Sequence, residues 1–142
     1  RQRDAYAFTN RVAAALLAEQ HGAAAVDREN RGELLRELDA LQSAVARRNA
    51  EDPNFWDGVS LADLALTRLL LEAASPPRAR ATAAAGDGVA AVAAAYRAAV
   101  AHAASPREAA SLAENLVFLH DLWAPRDKAT RRLLEQIREN LP

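Results

Sequence analysis

The sequence predicts an all-α fold: a stack of about three antiparallel helical hairpins with six main helices. Three observations lead there. Of the 142 residues, 37 are Ala and 19 Leu, against 8 Val and 1 Ile, so the best helix former dominates and strand formers are scarce. With 5 Gly and 6 Pro there is little turn chemistry for a many-stranded sheet. Breakers also divide the chain into segments whose apolar residues recur with a helical period.

The first helix is expected from Asp4, a candidate cap, to His21, with Gly22 as its stop. The second spans about Asn30 to Asn49. Leu34, Leu35, Leu38, Leu41 and Val45 make its buried stripe, and Arg36, Glu37, Arg47 and Arg48 its wet side. The third follows Asp52-Pro53-Asn54 and runs from Phe55 to Ala74. Phe55, Trp56, Val59, Leu61, Leu64, Leu66 and Leu69 to Leu71 nearly encircle it, the mark of a central helix packed by several neighbours. On this reading Trp56 is core, and Trp56→Ala costs about 3–5 kcal/mol.

Ser75 to Gly86 reads as a loop, with Pro76-Pro77 ending the third helix and Arg78 and Arg80 in solvent, although the cheapness of Ala in a helix leaves part of Ala79 to Ala85 open to a helical reading. The fourth helix is expected from Asp87 to Ala104, with Val89, Val92, Tyr96, Val100 and Ala103 as its stripe. So thin an Ala-rich helix lets neighbouring backbones come close. Ser105-Pro106 is a cap followed by proline at the first helical position, and Glu108 suits the first turn. The fifth helix continues to Trp123 through Leu112, Leu116 and Leu119. The sixth runs from Arg126 to Asn140, with Leu133, Leu134, Ile137 and Leu141 inward and Arg131, Arg132, Glu135, Arg138 and Glu139 in water.

Composition excludes several functions. Cysteine is absent, which removes disulfides and thiolate metal sites. The net charge of −1 is no footprint for nucleic acid. No apolar run approaches the roughly 18 residues of a membrane span. There is no Met, and the chain opens at Arg1. The expectation is one domain, residues 1–142, excised from a longer multidomain protein.

Odd-numbered helices begin near residues 4, 55 and 106, an interval of about 51 residues that suggests a hairpin repeat. Tyr6 is followed at i+4 by Asn10, Trp56 by Ser60, and Arg107 by Ser111. Each pair lies on one helix face, the smaller residue leaving room for a crossing helix. Trp56 and Ser60 resemble the first-helix pattern of the tetratricopeptide repeat. Tyr96 to Val100 with Ser105-Pro106 resembles its second-helix pattern, and Gly86-Asp87 its inter-helix turn. The period exceeds the usual 34 or so residues, and Asp63 stands where the family usually has an aromatic.

A broader likeness runs from Tyr6 to Trp123. Tyr6-Ala7-Phe8-Thr9-Asn10, Phe55-Trp56 with Ser60 to Leu66, Gly86-Asp87 with Ala94 to Arg97, and Ser111 with Leu116 to Leu119 follow in order. This order resembles the tetratricopeptide-like TRAFs-binding domain found in the central regulatory region of apoptosis-signal-regulating kinases and in bacterial proteins with effector domains elsewhere. The resemblance implies a non-catalytic, cytoplasmic regulatory module. Its partner would be a protein or peptide, or another domain of the same chain or operon, with no cofactor, nucleic acid or membrane. Arg107 lacks the aromatic that the third unit would be expected to carry.

No residue constellation points to catalysis. His21, His102 and His120 lack the spacing of a bundle metal site. No phosphate loop or nucleophile elbow occurs. Asp57 and Asp63 are six residues apart and do not share a helix face. Trp56, Ser60, Asp63 and Thr67 form one stripe at i, i+4, i+7 and i+11. It reads either as a groove that grips a peptide or as an interhelix seam with Asp63 paired to an Arg; the seam is preferred. Asn10 beside Tyr6 either binds a ligand or, in the preferred reading, closes a hydrogen bond to a neighbouring loop. The candidate partner-binding residues are therefore Tyr6, Asn10, Trp56, Ser60, Asp63, Thr67 and Ser111. The rival reading is the ligand-binding and dimerisation domain of an all-helical transcription regulator, which predicts a closed cavity and a dimer face on the last helices.

Overall fold

A computed structural model describes residues 2–24, 28–73 and 81–141, and among them finds six helices and no strand. They are α1 (Gln2–Gln20), α2 (Arg28–Glu51), α3 (Phe55–Ala73), α4 (Ala81–Val100), α5 (Pro106–Leu122) and α6 (Lys128–Glu139). The all-α expectation holds. No helix among the described residues is long and apolar enough to cross a membrane.

Consecutive helices pair antiparallel, and cross-links between them show the register. Arg31 near the start of α2 bonds Glu19 near the end of α1 at 2.9 Å, while Arg11 meets Glu37 at 2.7 Å. In the α3–α4 pair, Gly58 meets Ala99 and Gly88 meets Leu69. In the third pair, His120 Nε2 lies 2.9 Å from Glu135. α3 is the central element. It packs against α1, α2 and α4, burying Leu64, Leu66 and Leu69 to Leu71, each worth about 1.5–3 kcal/mol on burial. α4 in turn contacts α6, and Arg97 donates to the Asn140 carbonyl at 2.8 Å.

The Ala-rich sequence of α4 allows an unusually close crossing. A Cβ on Gly58 would lie 2.9 Å from Ala99 Cβ and 3.0 Å from Ala99 Cα. Only a glycine facing an alanine permits that separation. A close backbone approach therefore falls at Gly58, two residues before the Ser60 that the i+4 pattern indicated.

Helix ends follow local chemistry. Gly22, at φ +98°, supplies the left-handed turn that stops α1. Asn54 Oδ1 accepts the Asp57 amide at 2.9 Å at the start of α3. Ser105 Oγ accepts the Glu108 amide at 3.3 Å, and the Glu108 carboxylate accepts the Ala104 amide, one residue before the cap, at 2.6 Å, a variant of the capping box. Asp127 caps α6 with one oxygen and takes the buried Trp123 indole N–H at 3.0 Å with the other.

Several expectations need correction. α4 begins at Ala81 rather than Asp87, because a run of Ala propagates helix through Gly86. It ends at Val100, where i→i+3 turns at His102 and Ala103 reverse the chain toward the Ser105 cap. The loop residues 74–80, with Pro76-Pro77, Arg78 and Arg80, lie outside the described residues. Asp4 lies inside α1 and is no cap. Arg48 keeps contact with solvent but is not simply solvated. Its guanidinium holds the buried Asp57 through two bonds of 2.8 and 2.5 Å, and with help from Asn54 keeps that carboxyl below its ordinary range. Arg131 is partly buried, its Nε enclosed without a hydrogen bond. Trp56 is 50% exposed and is not core; it stands edge-on to the buried Phe55 ring at 4.9 Å.

Candidate functional site

α1, α3 and α5 run in the same direction, and between them lies a cleft of about 510 Å³. The C-terminal ends of α1 and α5 are joined. His21 Nε2 donates to the Leu122 carbonyl at 2.8 Å, and Arg126 donates to the Gln20 carbonyl. Near this joined end Ala13, Leu70 and Leu119 line the cleft. Toward the N-terminal ends of the helices its wall carries Tyr6 and Trp56, which are 67% and 50% exposed.

All seven candidate partner-binding residues, Tyr6, Asn10, Trp56, Ser60, Asp63, Thr67 and Ser111, line this one cleft. The stripe from Trp56 to Thr67 thus faces a cavity. The preferred seam, with Asp63 bonded to an Arg, is not what forms. Asp63 Oδ1 accepts the Tyr96 hydroxyl of α4 at 2.6 Å, and among the described residues no Arg, Lys or His lines the cleft. Asn10 is exposed, and its amide has no hydrogen-bond partner among the described residues, so it closes no loop. Sequence reasoning missed Thr9 and Asn115. Asn115 stands four residues after Ser111, so the i+4 rule was enough to find it. The Tyr96–Asp63 bond joins residues 33 apart in sequence and carries no local signal.

The electrostatics of the cleft centre on Asp63. Burial pushes its carboxyl up to about 6, and the Tyr96 hydrogen bond opposes the rise. Burial and the neighbouring carboxylate raise the Tyr96 phenol well above its ordinary value. At neutral pH, Asp63 is therefore mostly ionised and Tyr96 is neutral. Asp63 Oδ2 receives no hydrogen bond from any described residue.

The hydroxyls around it are already committed as donors. Ser60 donates to the Trp56 carbonyl at 2.9 Å and Thr67 to the Asp63 carbonyl at 2.8 Å. Thr9 donates to the Tyr6 carbonyl at 3.1 Å and Ser111 to the Glu108 carbonyl at 2.6 Å. A carbonyl only accepts, so each hydroxyl proton is used within its own helix and only lone pairs remain for the cleft.

A second hollow of about 460 Å³ lies along α6, lined by His120, Lys128, Arg131, Arg132, Glu135, Gln136 and Glu139. Its charges are mixed, and His120 is already held by Asp121 and Glu135 at 3.1 and 2.9 Å. Among the described residues no three His, Cys, Asp or Glu gather as a metal site. No protein-family model matches this chain, and no curated protein or solved structure is significantly similar to it.

Proposed function

We propose that this domain is a non-catalytic binding module of tetratricopeptide-like type, which takes a segment of a partner protein into the cleft between α1, α3 and α5. The observation that carries the reading is the convergence of Tyr6, Asn10, Trp56, Ser60, Asp63, Thr67 and Ser111 on one cavity. Aromatic rings standing half or more in water beside that cavity are the side chains that dominate binding energy once covered. The Asn10 and Asn115 amides on the walls suit the N–H and C=O groups of a bound backbone. In this proposal the module works in the cytoplasm and regulates an effector domain of the same chain or operon, as the likeness to the TRAFs-binding domain implies.

The test is selection of random displayed peptides on the folded domain, with a counter-screen on Asn115→Trp. That variant fills the cleft from an exposed position of α5. The reading expects enriched peptides that bind the parent and lose Asn115→Trp. Peptides that bind both proteins alike, or no enrichment at all, overturn it.

One observation favours a second reading, the ligand-binding domain of an all-helical regulator. The joined ends of α1 and α5 close one end of the cleft, and about 510 Å³ lies within the range of small-molecule sites. A small-molecule library scanned by thermal shift decides for that reading if hits raise the parent's Tm and leave Asn115→Trp unmoved.

A further inference from the structure

Resting on that reading of the cleft, we propose that the segment bound there carries a lysine or arginine, whose head group is held by Asp63 Oδ2 and the lone pairs of Ser60 and Thr67. Three observations converge on this cation. Among the described residues Asp63 is the only charged one lining the cleft, so the complementary charge is positive. Its Oδ1 is fixed by Tyr96 at 2.6 Å, which aims the carboxylate and leaves Oδ2 open. Ser60 and Thr67 stand at i−3 and i+4 from Asp63, on the same face, with their protons committed to the Trp56 and Asp63 carbonyls. The wall is therefore rich in acceptors. Ammonium and guanidinium groups have donors and no acceptor, so they match it atom for atom.

Other occupants fit worse. An acidic side chain would meet a carboxylate with no cation to offset it. A purely apolar one would bury Asp63 Oδ2 unpaired. The remaining lining suits the neighbours of a basic residue: Leu66, Leu70, Leu112 and Leu119 can take an apolar side chain, and Trp56 and Tyr6 lie within the same cleft.

The two kinds of occupant differ in the sign of their pH dependence. A cation binds the ionised carboxylate, so affinity rises with pH. A neutral apolar group favours the protonated carboxyl, so affinity falls with pH. With Asp63 titrating near 6, the ionised fraction changes about tenfold between pH 5 and pH 7. The other titratable groups here are few. Tyr96 faces Asp63 from α4 and, its phenol raised well above its ordinary value, stays neutral across this range; Tyr6 lines the cleft from α1. α5 contributes none, and the ion pairs of α2 engage Arg11 and Glu19 of α1 and Asp57 and Arg68 of α3, none of which lines the cleft.

The experiment takes the displayed peptides that bind the parent and lose Asn115→Trp. Each is resynthesised with its lysine replaced by norleucine or its arginine by citrulline, and titrated against the parent at pH 5 and pH 7. The unmodified peptides are also titrated against Asp63→Asn. The proposal expects a basic residue in every such peptide. Its replacement, or Asp63→Asn, should weaken binding about 10- to 100-fold, the range for losing a hydrogen bond to a charged group. Binding of the unmodified peptides should tighten about tenfold from pH 5 to pH 7, and that rise should disappear with the neutral replacements. Cleft-dependent peptides without a basic residue, or binding that weakens as pH rises, overturn the cation and leave the binding reading standing. No cleft-dependent peptide at all overturns both.

Discussion

Replacing Asp63 with asparagine should stabilise this protein, by an amount that depends on pH in a defined direction. The carboxyl rises from its ordinary 3.8 to about 6 because burial disfavours its charge. A raised carboxyl means the folded state holds the proton more tightly than the unfolded chain. The sign follows by linkage: Asp63's favourable contribution is full below pH 3.8 and is lost as pH rises through 6. A rise of that size corresponds to about 3 kcal/mol. Because Asp63 lines the cleft and is not fully enclosed, about 1–3 kcal/mol is the working range. Asparagine keeps an oxygen for the Tyr96 hydroxyl and removes the charge. Urea denaturation followed by circular dichroism from pH 4 to pH 8 measures the difference. Asp63→Asn should exceed the parent by about 1–3 kcal/mol at pH 7.5, and the gap should close toward pH 4. A variant less stable than the parent at pH 7.5, or a gap that does not change with pH, would refute the reasoning.

Other perturbations separate packing from binding. Trp56→Ala, at a half-exposed ring, should cost about 1–2 kcal/mol of stability and abolish binding of cleft-dependent peptides; a loss above 3 kcal/mol in denaturation would return Trp56 to the core. Gly58→Ala should destabilise by about 1–3 kcal/mol, although alanine is the better helix former, because the new Cβ meets Ala99 at 2.9 Å; a gain in Tm would contradict the close crossing. Arg48→Met leaves the buried Asp57 with Asn54 alone and should cost about 1–3 kcal/mol at pH 7. Asp57 is held below its ordinary range, so the ion pair's contribution is present at neutral pH. The cost should shrink as pH falls through that lowered value, and a constant cost across an acid titration would deny the pair its role.

The helical class was legible because propensity and period agreed everywhere: Leu112, Leu116 and Leu119 are spaced as a buried stripe and are buried. The Ser105 cap was legible because serine before Pro106 satisfies two local rules at once. The start of α4 was legible only in part: Ala propensity allowed helix within Ala79 to Ala85, while Gly86 and Gly88 look like breakers and set the expected start at Asp87 instead of Ala81. The register of the candidate site was also readable, because i, i+4, i+7 and i+11 fix one face of α3 whatever that face meets. What it meets was not readable. A Trp among leucines reads as core, and only the separation of α3 from α5, which packs chiefly on α6, leaves room for a cleft. The Arg48–Asp57 and Tyr96–Asp63 bonds cross between helices, and no local pattern marks either.

The central claim is that the working surface is the cleft lined by α1, α3 and α5. Chemical-shift mapping of a cleft-dependent peptide on the isotope-labelled domain tests it most directly. The account predicts that the perturbed signals cluster at Tyr6, Asn10, the Trp56 indole, Asp63 and Ser111. Perturbations gathered instead on the exposed Val117, Phe118 and Leu122 of α5, with the Trp56 indole unmoved, would contradict it.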